Sequence, residues 1–197
     1  MNTLSYAFFA TAIGTCGIAW GARGITWVSL PETHAKRLRA RFGTRFPDAG
    51  ETPPPPAVAR TVERIQALLK GEHDDLRDVA LDDAGVPAFD KRVYDMARRI
   101  APGATRTYGD IAKDLGDLSL ARAVGQALGR NPFPIIVPCH RVLAAGGRTG
   151  GFSATGGVET KFRMLAIERA KTDNAPSLFS DLPLAAPPRR PHNARSS

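Results

Sequence analysis

Cysteine is scarce in this sequence, long apolar runs are missing, and each shortage excludes something. Cys16 and Cys139 are the only two cysteines in 197 residues, and no CxxC spacing joins them. That rules out a zinc ribbon and a disulfide framework and fits a reducing cytoplasm best. The uncharged opening from Met1 to Ala22 lacks a basic leader and is interrupted by Thr11, Gly14, Thr15 and Gly17. Neither a secretory signal nor a membrane span is therefore expected. Metal ligands are also few: before residue 89 only Cys16, His34 and His73 could serve, too few for a closed tetrahedral site. No internal repeat is present.

The composition is that of an ordinary globular chain, with 43% hydrophobic and 23% charged residues, which excludes wholesale disorder. Its charge is unevenly placed. Residues 1–89 hold 10 basic and 10 acidic side chains, residues 90–170 hold 13 and 7, and residues 171–197 hold 4 and 2. A neutral first half followed by a basic second half points to a polyanion such as nucleic acid as the partner of the second half.

The first half reads as a small α+β unit ending near Phe89. Ile18-Ala19-Trp20 and Ile25-Thr26-Trp27-Val28 are β-rich runs parted by Gly21-Ala22-Arg23-Gly24, the outline of a hairpin. From Glu32 to Phe46, Ala35, Leu38 and Phe42 recur at helical spacing among Lys36, Arg37, Arg39 and Arg41, an amphipathic basic helix. Pro53 to Pro56 open a second helix lined by Val58, Val62, Ile65 and Leu69 and stopped by Gly71.

From Asp90 the pattern is helical. Val93, Met96, Ala97 and Ile100 form a stripe that ends before Pro102-Gly103. Residues 108–115 and 119–129 then make two short helices joined by Gly116-Asp117-Leu118, with Ser119 as the expected N-cap of the second. This outlines a helix-turn-helix, and an αα-hairpin packed in a core would give the same pattern. A further helix is expected from Glu159 to Arg169 with Phe162, Leu165 and Ala166 as its apolar face. The tail from Lys171, rich in Pro, Ser, Ala and Arg, is expected to be disordered.

Chemistry concentrates in Asn131-Pro-Phe-Pro-Ile-Ile-Val-Pro-Cys-His-Arg141. Its Ile135-Ile136-Val137 core reads as a buried strand that delivers Cys139 beside His140 and Arg141. Basic neighbours of this kind lower a thiol's pKa and make it nucleophilic. His140 would act as base through a water or a local bend. An orienting acid comes from Glu159 or Glu168, and spacing does not choose between them.

Pro138-Cys139-His140-Arg141-Val142, with Asn131-Pro132 and the Arg122-Ala123-Val124-Gly125 helix before it, resembles the O6-alkylguanine-DNA alkyltransferases. The resemblance covers residues 89–169 well and the first 88 more loosely. It implies a ribonuclease-H-like N-terminal domain over 1–88 and a mainly helical C-terminal domain with a helix-turn-helix over 89–170. It also implies irreversible, stoichiometric transfer of the alkyl group from O6-alkylguanine in DNA to Cys139. The preferred alkyl group, and activity on O4-alkylthymine, stay open. His140 would be the base through a water, oriented by Glu168; Tyr108 would turn the 3′ phosphate and assist proton transfer. Arg122 would fill the space left by the extruded nucleotide, Asn131 would hold the turn before the active site, and Ser153 would contact guanine O6.

Arg130, with Arg122 and Gln126, completes the polar side chains the second helix offers to DNA. The partner implied is double-stranded DNA with little sequence preference, engaged by a monomer, with no cofactor and no metal. Three rival readings share parts of the pattern. A non-enzymatic damage binder has another residue in the cysteine's place. A site-specific regulator needs more base-reading side chains than this helix has. A cysteine hydrolase has no need of a basic DNA-facing half.

Overall fold

The computed structural model describes residues 4–145 and 157–170. The expected hairpin gains a third strand before it. Strands β1 (Ser5–Thr11), β2 (Gly14–Gly21) and β3 (Gly24–Ser29) form an antiparallel meander, and the two-residue β4 (Gly50–Glu51) adds parallel to β1, giving the order β3-β2-β1-β4. Gly24 turns the chain at φ +127°, and a Cβ there would stand 2.5 Å from the Ala80 carbonyl oxygen. Both the backbone angle and the neighbour therefore require glycine.

Successive side chains of β2 point to opposite faces of the sheet. Cys16, Ile18 and Trp20 enter the main core, whereas Ala19 joins Leu38 and Phe42 in a small second core rimmed by Tyr6, Phe8, Trp27 and Phe46. Leu38 and Phe42 belong to α1 (Ala35–Arg45), the basic helix, which buries only those two residues. A Cβ at Gly17 would lie 2.5 Å from the Phe42 ring, so this glycine is what lets the helix approach the sheet so closely. Helix α2 (Pro56–Leu68) begins on a proline, as expected, and buries Val58, Thr61, Ile65 and Leu68.

The outer edge of β3 is closed by later segments. Ile25 N–H donates to Ala80 O (3.0 Å), Asp82 N–H to Ile25 O (2.8 Å) and Val28 N–H to Pro132 O (2.8 Å). The last of these ties the chemistry-bearing segment directly to the sheet.

Helices α3 (Ala88–Arg98), α4 (Tyr108–Asp114), α5 (Ala121–Gly129) and α6 (Gly157–Ile167) follow, with β5 (Arg106–Thr107) parallel to β6 (Val142–Leu143). Tyr94 of α3 donates its hydroxyl hydrogen to Ala127 O of α5 at 3.0 Å. Buried residues of the sheet, α2 and the later helices form one contiguous core, so packing runs across residue 89 without a break. The architecture is a mixed sheet with helices, α+β.

One cap differs from expectation. Asp117, not Ser119, makes the cap: its Oδ1 accepts from Ser119 N–H at 2.8 Å and starts a 3-10 turn over Leu118–Leu120, and α5 begins only at Ala121. The carboxylate two residues upstream reaches the free N–H, and the Ser119 hydroxyl bonds that same carboxylate. The expected tail 171–197 lies outside the described residues. Among the described residues no His, Cys, Asp and Glu cluster could hold a metal, and no helix is long and apolar enough to cross a membrane.

Candidate active site

Asn131 leaves α5 and folds the next six residues around its side chain. Its Oδ1 accepts from Phe133 N–H at 2.9 Å and its Nδ2 donates to Val137 O at 2.9 Å, while Val137 N–H donates to Phe133 O at 2.8 Å. Ile135 is held at φ +77°, a backbone region that β-branched residues avoid. Ile135, Ile136 and Val137 are buried as expected, but they form no strand. Pro132, Pro134 and Pro138 remove the N–H groups a ladder needs, so the segment closes on itself instead. Cys139 then opens a single 3-10 turn, Cys139–Arg141.

Behind Cys139 lies a buried ionic cluster. His140 Nε2 stands 3.0 Å from Glu168 Oε1, and Arg141 donates Nε to Oε2 (2.9 Å) and Nη2 to Oε1 (2.8 Å). The remaining Arg141 donor, Nη1, reaches Ile100 O at 2.7 Å. His140 and Arg141 are each 1% exposed. Burial pushes the Glu168 carboxyl up, but hydrogen bonds from His140 and Arg141, and their charges, outweigh it and hold it at about 2. Burial also holds the His140 imidazole below its ordinary value, against the pull of Glu168. His140 is thus neutral at pH 7, and its Nδ1 is buried without a protein partner among the described residues. Glu159 is exposed on α6, so Glu168 is the acid that meets His140.

The thiol does not follow the expectation drawn from its basic neighbours. Burial pushes Cys139 above its ordinary value, and the opposing pull of the Asn131 side chain, the Lys161 charge and nearby N–H groups does not cancel it. Arg141 points its charge at Glu168, so little of it is left for the sulfur. The cation that does act on Cys139 is Lys161, which the sequence reading missed.

Lys161 is fully buried on α6, donates to Val142 O at 2.6 Å and lies 5.9 Å from the centre of the Tyr108 ring. Burial lowers its ammonium to about 8, with the Cys139 charge opposing the fall. The buried face of α6 runs through Lys161, Met164 and Leu165 and on to Glu168; Ala166 is exposed and Phe162 only half-buried. A charged residue at the head of the stripe hid this face from an apolar periodicity.

Tyr108 opens α4, where a reciprocal capping box between Thr107 and Asp110 sets the helix start (2.8 and 3.1 Å). Its ring is half-buried, and burial with the nearby Cys139 charge holds the phenol above its ordinary value. Gly125 of α5 faces that ring: a Cβ there would lie 3.8 Å from Tyr108 Cδ1. Arg122 is exposed on α5. Arg130 directs Nε and Nη2 to Asp90 (3.1 and 3.0 Å), an ion pair that links the end of α5 to the start of α3. Ser153 lies outside the described residues.

Acidification should strike the cluster twice. His140 binds its proton more weakly folded than unfolded, so its contribution is full above its ordinary value of 6.5 and declines as pH falls below it. Glu168 does the same lower down, complete above its ordinary 4.5 and lost as pH falls towards about 2. Melting temperature measured from pH 8 to 3 should fall in both windows, and Glu168→Gln should shrink the second fall without abolishing it, because the Asp74 and Asp110 carboxyls are also held below their ordinary value by hydrogen bonds. A flat profile would contradict the cluster.

Comparison with known proteins bears on this same segment. Residues 88–170 match the family model described as 6-O-methylguanine DNA methyltransferase, DNA binding domain. A methylated-DNA–protein-cysteine methyltransferase of Mycolicibacterium paratuberculosis is 42% identical over 130 residues, 66% of this chain and 76% of that protein. A DNA base-flipping protein of Thermus thermophilus is 36% identical over 147 residues, 75% of this chain and 95% of that protein. The crystal structure of Mycobacterium tuberculosis OGT in complex with DNA aligns with a TM-score of 0.65 at 32% identity, covering 84% of this chain and 92% of that one. The likeness runs through the segment that joins Cys139, His140 and Glu168, and the chain belongs to the methylated-DNA–protein-cysteine methyltransferase family.

Proposed function

We propose that this protein repairs DNA by moving the alkyl group of O6-alkylguanine in a duplex to Cys139, once per molecule. The observation that carries the reading is the buried relay behind Cys139, in which Glu168 fixes His140 through Nε2 and leaves Nδ1 to take a proton. The Cys139 proton passes to Nδ1 through a water. The sulfur then attacks the methyl carbon: the S–C bond forms, the O6–C bond breaks, and guanine leaves as its anion. That anion takes a proton at N1 with the help of Tyr108, balancing the one His140 received. Lys161 steadies the thiolate while it exists, a charge the buried site would otherwise oppose.

Residues 89–170 are the unit that meets DNA, with α4, the 3-10 turn and α5 as a helix-turn-helix, and residues 1–88 are a ribonuclease-H-like domain packed against it. The target atom lies inside the base stack, so the nucleotide must be extruded at a cost of a few kcal/mol, less where damage has weakened pairing. Arg122 fills the gap from α5, whose small residues Ala121, Ala123 and Gly125 suit a minor-groove approach that reads little sequence. Asn131 holds the turn between that helix and Cys139, Ser153 contacts O6, and Arg130, exposed at the exit of α5 and paired with Asp90, adds a contact to the DNA. The protein acts as a monomer. A base-flipping protein without chemistry would share all of this except a nucleophile, and Cys139 with its relay favours transfer.

Incubation with a duplex bearing O6-methylguanine, followed by weighing the protein, tests the reading: methyl on the Cys139 peptide supports it, and an unmodified protein overturns it. Arg122→Ala should slow repair of the duplex about tenfold or more, yet leave reaction with free O6-methylguanine nearly unchanged, because the free base needs no extrusion. An equal drop on both substrates would make Arg122 a structural residue.

A further inference from the structure

The basic helix α1 has no part in the alkyl-transfer site, and its charges are ordered. Arg37, Arg41 and Arg45 recur every fourth residue, which sets them along one face over about 12 Å at 1.5 Å per residue. Lys36 and Arg39 add to them, the helix has no acidic residue, and all five cations are exposed. This pattern works against the helix. Lys36 and Arg37 sit in its first turn, at the positive end of its dipole, and His34 at the N-cap makes no side-chain cap bond. Like charges four residues apart repel as well. Neighbours offset the charge only in part: Glu51 pairs with Arg39, Glu32 accepts from Arg41 at 3.0 Å, and Arg45 lies 3.7 Å over the Trp27 ring.

The stripe runs towards the DNA-meeting unit. Arg45 and Trp27 line one open depression of about 280 Å³ together with Asp90, Arg130 and Pro132, so the last turn of α1 lies beside the exit of α5. We propose that Arg37, Arg41 and Arg45 extend the DNA contact onto the sheet's outer helix by engaging the phosphate backbone of the duplex that flanks the extruded nucleotide. Duplex DNA is the occupant whose regular charge matches a regular stripe, and the inference rests on DNA being the partner.

The experiment uses the full chain, with binding of O6-methylguanine duplexes of about 12 and about 30 base pairs measured against salt. Arg37→Gln with Arg41→Gln should lower the slope of log affinity against log salt by about two on the long duplex and weaken binding roughly tenfold near 0.1 M salt. The short duplex and the reaction with free O6-methylguanine should be unchanged. Arg37→Lys with Arg41→Lys should restore the slope, since a phosphate contact needs charge more than a guanidinium. An unchanged slope, an equal loss on both duplexes, failure of the lysine pair to restore it, or capture of a second separate duplex would each overturn the proposal. Methylation of wild-type Cys139, read in the same samples, tells failure here from failure of the repair reading.

Discussion

One molecule of this protein is expected to remove one methyl group from DNA and then stop. A thioether, unlike the thioester of a cysteine hydrolase, gives water or a neighbouring base no leaving group to displace. Regeneration would need a second reactive thiol, and Cys16 does not qualify. It is 0% exposed in the main core, and burial, only partly offset by the Thr11 hydroxyl, pushes its thiol up to about 12. Intact mass after excess O6-methylguanine duplex should rise by about 14 units, the replacement of a thiol hydrogen by methyl, and go no further. Cys139→Ser should bring transfer down to the level without protein, because a hydroxyl next to a neutral imidazole stays protonated in a site that already disfavours the thiolate. Its DNA binding should survive, since α5 and Arg122 are untouched. Repeated turnover, or methyl on Cys16, would refute the mechanism.

Glu168→Gln should damage stability and catalysis together, and the two can be separated. Among the described residues its carboxylate is the only anion that the buried Arg141 meets, and removing one member of such a pair costs about 3–5 kcal/mol. For a chain of this length that corresponds to a fall in melting temperature on the order of 10 °C. Below that temperature the variant should still bind DNA but transfer methyl roughly a hundredfold more slowly, because His140 loses the anion that stabilises its protonated form. Adding Arg141→Met should recover most of the stability and none of the rate. Glu159→Gln, at an exposed site on α6, should change neither, and an equal loss there would overturn the assignment.

The sequence by itself determined what depends on near neighbours. The turn at residues 21–24, the proline start of α2, the stripe of α3 and the α4–α5 pair follow from spacing, punctuation and φ preference, all short-range properties, and the structure reproduces them. Pro138-Cys139-His140-Arg141-Val142 likewise marked the segment that the structure buries against Glu168. Only the tertiary structure decided what depends on packing. Glu168 stands 28 positions from His140, and no local pattern ranks it above Glu159; the fold does, by burying one and exposing the other. Ile135–Val137 has the composition of a strand, yet Asn131 and three prolines fold it into a closed turn. Lys161 was invisible because a lysine in a stripe reads as solvent-facing until the helix is docked. The thiol shows why in one residue: its sequence neighbours are basic, but desolvation is set by everything that surrounds the sulfur, and in this site it outweighs them.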